Sequence, residues 1–154
     1  MGNKELLARE YFKQGYNCAQ SVFLALAPDY GFDKETALKL ASSFGGGMGR
    51  MREVCGAVSA MLMAAGLESG YTENNNDETK AAHYALVQKL ASEFKKKNGT
   101  IICRELLGLD IETDSPIPSK RNEQYYKTRP CEEYVADACR IFEKYLNDKK
   151  AVIK

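Results

Sequence analysis

Residues 17–31, "NCAQSVFLALAPDYG", decide how the rest of the chain is read. Asn17 offers a side-chain oxygen to the free first-turn amides that follow it, as an N-cap does. Val22, Leu24, Leu26 and their neighbours are apolar nearly all round, the pattern of a helix enclosed by protein rather than lying on a surface. Pro28 and Gly31 end it. Such a helix needs a jacket, and outside it apolar residues recur at three- and four-residue spacing while strand-like alternation is scarce. The chain is therefore predicted to be all-α.

Working outward, a helix over about Lys4–Gln14 stops at Gly15. On the other side Asp33 caps "KETALKLASSF", with Ala37, Leu38 and Ala41 inward. The stretch "FGGGMGRMREVCGAVSAMLMAAG", 44–66, should hold a helix beginning near Met51 to Glu53 and ending at Gly66 or Gly70. After the polar "ENNNDETK", a long helix over about Glu78–Lys97 is expected to turn Ala82, Ala85, Leu86, Leu90 and Phe94 inward. Lys95, Lys96 and Lys97 at its C-terminal end suit the helix dipole and need no other role. Asn98 and Gly99 stop this helix, and Thr100 can cap a short one in "IICRELLG". Leu109 to Lys127, with two prolines and little periodicity, reads as an irregular surface segment. Thr128 or Arg129 begins the last helix, with Pro130 in its first turn. The expectation is one domain over 1–154, a helical bundle of about six helices.

With 154 residues and 44% hydrophobic content the chain can bury a real core. Its 22 basic and 21 acidic residues leave a net charge of +1, too little field to recommend nucleic acid or an anionic membrane as partner. The N-terminus lacks the apolar run of a secretory signal, and no window approaches the roughly 18 apolar residues of a membrane span. A cytoplasmic location is expected. In that reducing compartment Cys18, Cys55, Cys103, Cys131 and Cys139 are not naturally a structural disulfide framework.

Four of them fall at expected helix starts. Cys18 follows the Asn17 cap, Cys55 lies in the first turn of the glycine-preceded helix, Cys103 stands three residues after Thr100, and Cys131 follows Pro130. First-turn amides and the helix dipole stabilise a thiolate, the form that attacks disulfides and binds metals. Cys139, deep in its helix beside Ile141 and Phe142, reads as core. Gly45, Gly46 and Gly47 can take positive φ and, with the helix start, form an anion nest, while Arg50 and Arg52 add positive charge. These five are the candidate cofactor- or anion-binding residues, and Cys55, which alone has both nest and arginines nearby, is the expected attacking thiolate with a lowered pKa. No GK[ST] follows the glycines, so a phosphate loop is the weaker reading. Met48, Met51, Met61 and Met63 read as core filler, and the lone His83 as a half-buried structural residue. The tyrosines include Tyr125 and Tyr126, placed to pack over a site.

Two chemistries suit Cys18, Cys55, Cys103 and Cys131. The first is thiol redox cycling; there is no CxxC, and three pairings of the four remain open. The alternative is an iron–sulfur cluster or other metal held by the same four thiolates. A blander third reading is a helical interaction module with inert cysteines.

The segments "YNCAQSVFLA", "FGGGMGRMREVCGAVSAML", "CRELLG" and "RPCEEYVADA", in that order, resemble the C_GCAxxG_C_C family of redox-active proteins over Cys18 to about Leu146. The resemblance makes the same four cysteines the family cysteines and leaves Cys139 outside. "CGAVSA" departs from the motif by Ala60 in place of glycine, a larger contact that removes no reactive group. A more distant similarity is to split-Soret cytochromes, but with no CxxCH and one histidine no covalent c-type haem is expected. The resemblance implies a redox partner without naming it, and a homo-oligomer is compatible with it.

Overall fold

The computed structural model describes residues 3–153, and among them it is all-α. Six helices have nine or more residues: α1 (Asn3–Lys13), α2 (Cys18–Leu26), α3 (Lys34–Ser42), α5 (Gly56–Ser69), α6 (Asp77–Asn98) and α9 (Cys131–Ile153). Shorter turns of helix are α4 (Gly45–Met48), α7 (Cys103–Leu106) and α8 (Glu123–Thr128), with a 3-10 turn at Ala27–Tyr30. The described residues contain no strand, only an antiparallel bridge between Val54 and Ile102. None of their helices is long and apolar enough to cross a membrane.

The local signals act as elementary chemistry requires. Asn17 Oδ1 accepts from Gln20 N at 2.8 Å while Gln20 Oε1 accepts from Asn17 N at 3.2 Å, a reciprocal capping box. Asp33 caps α3 through Thr36 N, and Gly99 at φ +91° closes α6. α2 is the enclosed helix: Ala19, Val22, Phe23, Leu24, Ala25 and Leu26 are buried, with α1, α3, α5 and α9 packed around it. α5 meets it through small residues, with Gly56, Ala57, Ala60 and Ala64 buried. Arg9 ties α1 to the start of α9, its Nη1 donating to Glu132 and Glu133 at 2.9 Å each.

Several expectations are corrected. α5 begins at Gly56, not near Met51 to Glu53, because the preceding residues follow a left-handed path and pair with 101–104. α7 begins at Cys103 with Ile102 at its cap position and no side-chain cap; Thr100 Oγ1 instead accepts from Ile102 N at 3.1 Å. The last helix begins at Cys131, because Thr128 ends α8, a helix inside the segment read as irregular and capped by Asn122. Ala82 and Ala85 are exposed: α6 is buried only through Leu90 and Phe94 in its C-terminal half, where it meets α5 and α9. Met48 and Met51 are exposed, while Met61 is core.

Lys97 does have a second role. It donates to Asp137, which is 1% exposed on α9 and also accepts from Arg140 Nη1 at 2.6 Å and Asn98 Nδ2 at 3.3 Å. Burial alone would raise the Asp137 pKa, but the bonds from Lys97, Arg140 and Asn98 hold it below the ordinary carboxylate value. A depressed folded pKa gives stability that is present above about pH 4 and lost as pH falls through the folded value. Asp137→Asn should therefore lower unfolding free energy by about 1–3 kcal/mol at pH 7 and flatten the acid limb, as read from urea unfolding at pH 7 and pH 3.

Candidate functional site

The site is built on a backbone reversal that few side chains tolerate. Gly46, Gly47, Met48, Gly49 and Arg50 all have positive φ, between +59° and +70°, and Arg52 follows at +57°. In this left-handed run Arg52 N bonds back to Gly46 O at 3.1 Å and Glu53 N to Gly47 O at 2.9 Å. Each non-glycine residue in this region, Met48, Arg50 and Arg52, costs about 1–2 kcal/mol, and the two arginines have outside support. Asp114 supplies it: its carboxylate accepts from Arg50 at 3.0 Å and from Arg52 at 2.8 Å, and its amide donates to Arg50 O at 2.9 Å. The Arg52 bond, ahead of the other influences, keeps the Asp114 carboxyl below its ordinary range.

The run leads into a short pairing of two segments. Cys55 N donates to Ile101 O at 2.8 Å and Cys103 N to Glu53 O at 2.6 Å. This pairing sets Cys55, at the cap position of α5, beside Cys103, the first residue of α7. Glycine is required at two contacts. A Cβ on Gly47 would lie 2.8 Å from Cys103 Cβ, and one on Gly56 would lie 2.6 Å from both Cys18 Sγ and Phe44 O.

One pocket of about 780 Å³ is lined by Cys18, Cys55, Cys103 and Cys131, and Cys139 is not on its wall. Cys139 lies instead in the apolar core, fully buried. All five are free thiols; Cys18 and Cys131 are half-buried, and Cys55, Cys103 and Cys139 are buried. Gly45, Gly46, Arg50 and Arg52 also line the pocket, while Gly47 is buried against Cys103.

The expected activation of Cys55 is reversed. Burial pushes its thiol well above the ordinary value, a charge on Cys18 adds to the rise, and the amides of Val58 and Ala57 oppose it without prevailing. Arg52 turns to another sulfur, its Nη1 donating to Cys103 Sγ at 3.6 Å. The glycine nest serves Cys18 instead: burial raises that thiol too, but backbone bonds from Gly46, Ala19 and Gly56 lean against the rise. Cys131 is pushed up to about 12, first by burial and then by Cys18 and Cys103, with Arg129 and Arg52 opposing. Burial raises Cys139 as well.

Sequence reasoning missed Asp114, Arg121, Arg129 and Tyr134. The last three line the pocket, and Asp114 holds its left-handed wall. The Asn122 cap in "NEQYYK" was the available signal for α8, which carries Tyr125 onto the pocket while Tyr126 stays exposed. A metal site would need donors gathered at one point, and among the described residues no group of three or more His, Cys, Asp or Glu is placed to hold a metal ion.

The family model described as "Putative redox-active protein (C_GCAxxG_C_C)" matches residues 16–145. No curated protein and no solved structure matches the chain significantly.

Two outcomes follow from this geometry. In folded, reduced protein at neutral pH, Cys18 and Cys131 should be alkylated before Cys55 and Cys139, with peptide mapping of the label as the readout. Thiols whose folded pKa is raised contribute stability that is full below about pH 8.5 and is lost as pH rises toward the folded values. Resistance of the reduced protein to urea unfolding should thus fall between pH 7 and pH 10, and less steeply in Cys55→Ala.

Proposed function

Because the chain belongs to the C_GCAxxG_C_C family, we propose that its pocket carries out thiol–disulfide chemistry with Cys18 as the central thiol. The observation that carries this reading is the position of Cys18 among the other three. It lines one pocket with Cys55, Cys103 and Cys131, and its Sγ lies where a Cβ on Gly56, the residue after Cys55, would be only 2.6 Å away. It is also half-buried on the pocket wall, and three backbone amides stand ready to share a negative charge on its sulfur.

The reaction is a balanced two-electron exchange. Cys18, as thiolate, attacks one sulfur of an oxidant disulfide; the new S–S bond forms as the old one breaks, and the first leaving thiolate takes a proton from solvent. Cys131, the other half-buried thiol on the wall, loses its proton and attacks Cys18 Sγ, releasing the second thiol. Two protein thiols become one disulfide, and the oxidant disulfide becomes two thiols. Cys55 and Cys103 are the deeper pair, available to pass oxidation inward by the same exchange. The reverse sequence reduces a substrate.

The test is oxidation by hydroxyethyl disulfide, followed by free-thiol counts and mass mapping. Cys18→Ser should slow the loss of thiols by at least about tenfold, and Cys131→Ser should accumulate a mixed disulfide on Cys18. Equal rates in Cys18→Ser and the parent would overturn the assignment. Brown, iron-containing protein from anaerobic purification, with Cys18, Cys55, Cys103 and Cys131 protected from alkylation, would replace it by the metal reading.

A further inference from the structure

The wall of the cysteine pocket carries Arg50, Arg52, Arg121 and Arg129, and no Asp, Glu or Lys among the described residues lines it. Arg50 and Arg52 share the single carboxylate of Asp114. Arg121 is held by neutral groups: it donates to Phe12 O and, at 2.7 Å, to Tyr16 O, and its guanidinium lies 4.0 Å over the Phe12 ring. Arg129 stands 5.8 Å over the Tyr125 ring. Neither Arg121 nor Arg129 has a carboxylate partner among the described residues. In a chain of net charge +1 this concentrates unneutralised positive charge at one concave surface. A cleft lined by one sign of charge draws the opposite sign into it.

Resting on the thiol reading above, we infer that the pocket takes an anionic low-molecular-weight disulfide, with its carboxylates or phosphates on Arg121 and Arg129 and its S–S bond presented to Cys18. Guanidinium forks recognise both anions in the same way. Size and recess favour a small molecule over a folded protein: about 780 Å³ lies within the range of small-molecule sites, and none of its four thiols is fully exposed. Tyr125, with Arg121 and Arg129 at 5.7 and 5.8 Å from its ring centre, brings the two guanidinium groups to one ring on the pocket wall. Arg129 and Cys131 stand two positions apart in the chain and both line the pocket, so an anion bound there lies near the resolving thiol. The exchange is the one already balanced: the small disulfide leaves as two thiols, and Cys18 and Cys131 are left as a disulfide.

The test compares oxidation rates of reduced full-length protein by four probes: oxidised glutathione, coenzyme A disulfide, neutral hydroxyethyl disulfide and cationic cystamine. At least one anionic probe should react about tenfold or more faster than cystamine at low salt, with the gap closing at high salt. The faster of the two anionic probes identifies carboxylate or phosphate. Arg129→Gln should lower the ratio of the anionic to the neutral rate, and Arg129→Lys should restore most of it. Because Arg121 also braces two backbone carbonyls, Arg121→Lys serves as its variant, and its ratio should fall less than in Arg129→Gln. Ordinary reaction with hydroxyethyl disulfide but equal rates for anionic and cationic probes would overturn this inference alone. No reaction with any probe would overturn the thiol reading and this inference with it.

Discussion

Everything in the site depends on the left-handed path from Gly46 to Arg52. A right-handed continuation from α3 into α5 would carry the amide of Gly46 away from Cys18 and the guanidinium of Arg52 away from Cys103. The left-handed run brings both into contact, and it lets Gly47 close against Cys103 Cβ where any side chain would collide. Two of its three non-glycine positions, Arg50 and Arg52, have their conformational cost offset by Asp114, bonded to both arginines and to the Arg50 carbonyl. The surface segment after α7 is thus a structural part of the site, because it carries the residue that holds the turn in its unfavourable conformation.

The same architecture sets two opposing influences on Cys18 and Cys55. Helix starts and nests direct N–H groups at the thiols and favour thiolate. Close packing of α2 against α5, which gathers the thiols, removes the water a thiolate also needs. At Cys55 the second influence wins by a wide margin, and at Cys18 more amide bonds stand against it. Local amides, rather than distance to an arginine in sequence, therefore separate Cys18 from Cys55. The proposed direction of exchange, from Cys18 and Cys131 inward to Cys55 and Cys103, follows from access, the first two being half-buried and the last two buried.

α2 joins the core to the chemistry. Its apolar surface is enclosed by four other helices, and its first residue is Cys18, so the sulfur proposed to react first is held by a deeply packed element of the fold. The Asn17–Gln20 capping box sets where that helix begins and hence where the sulfur lies. The small residues of α5 then determine how closely a second thiol-bearing segment can approach it.

The sequence by itself determined the all-α class, the caps at Asn17 and Asp33, the stop at Gly99, and the four cysteines that share a pocket while Cys139 stays in the core. These were legible because caps, stops and helical periodicity act within about four residues along the chain. It did not reveal that Ala82 and Ala85 lie in the open, or that the glycine nest faces Cys18 rather than Cys55. Nor did it reveal Asp114, which meets Arg52 across 62 positions of sequence, or the carboxylate-free setting of Arg121 and Arg129. Those are facts of which surfaces meet, and only the tertiary structure decided them: burial, pairing of distant charges and the direction of an amide are properties of neighbours in space, on which local sequence signals are silent.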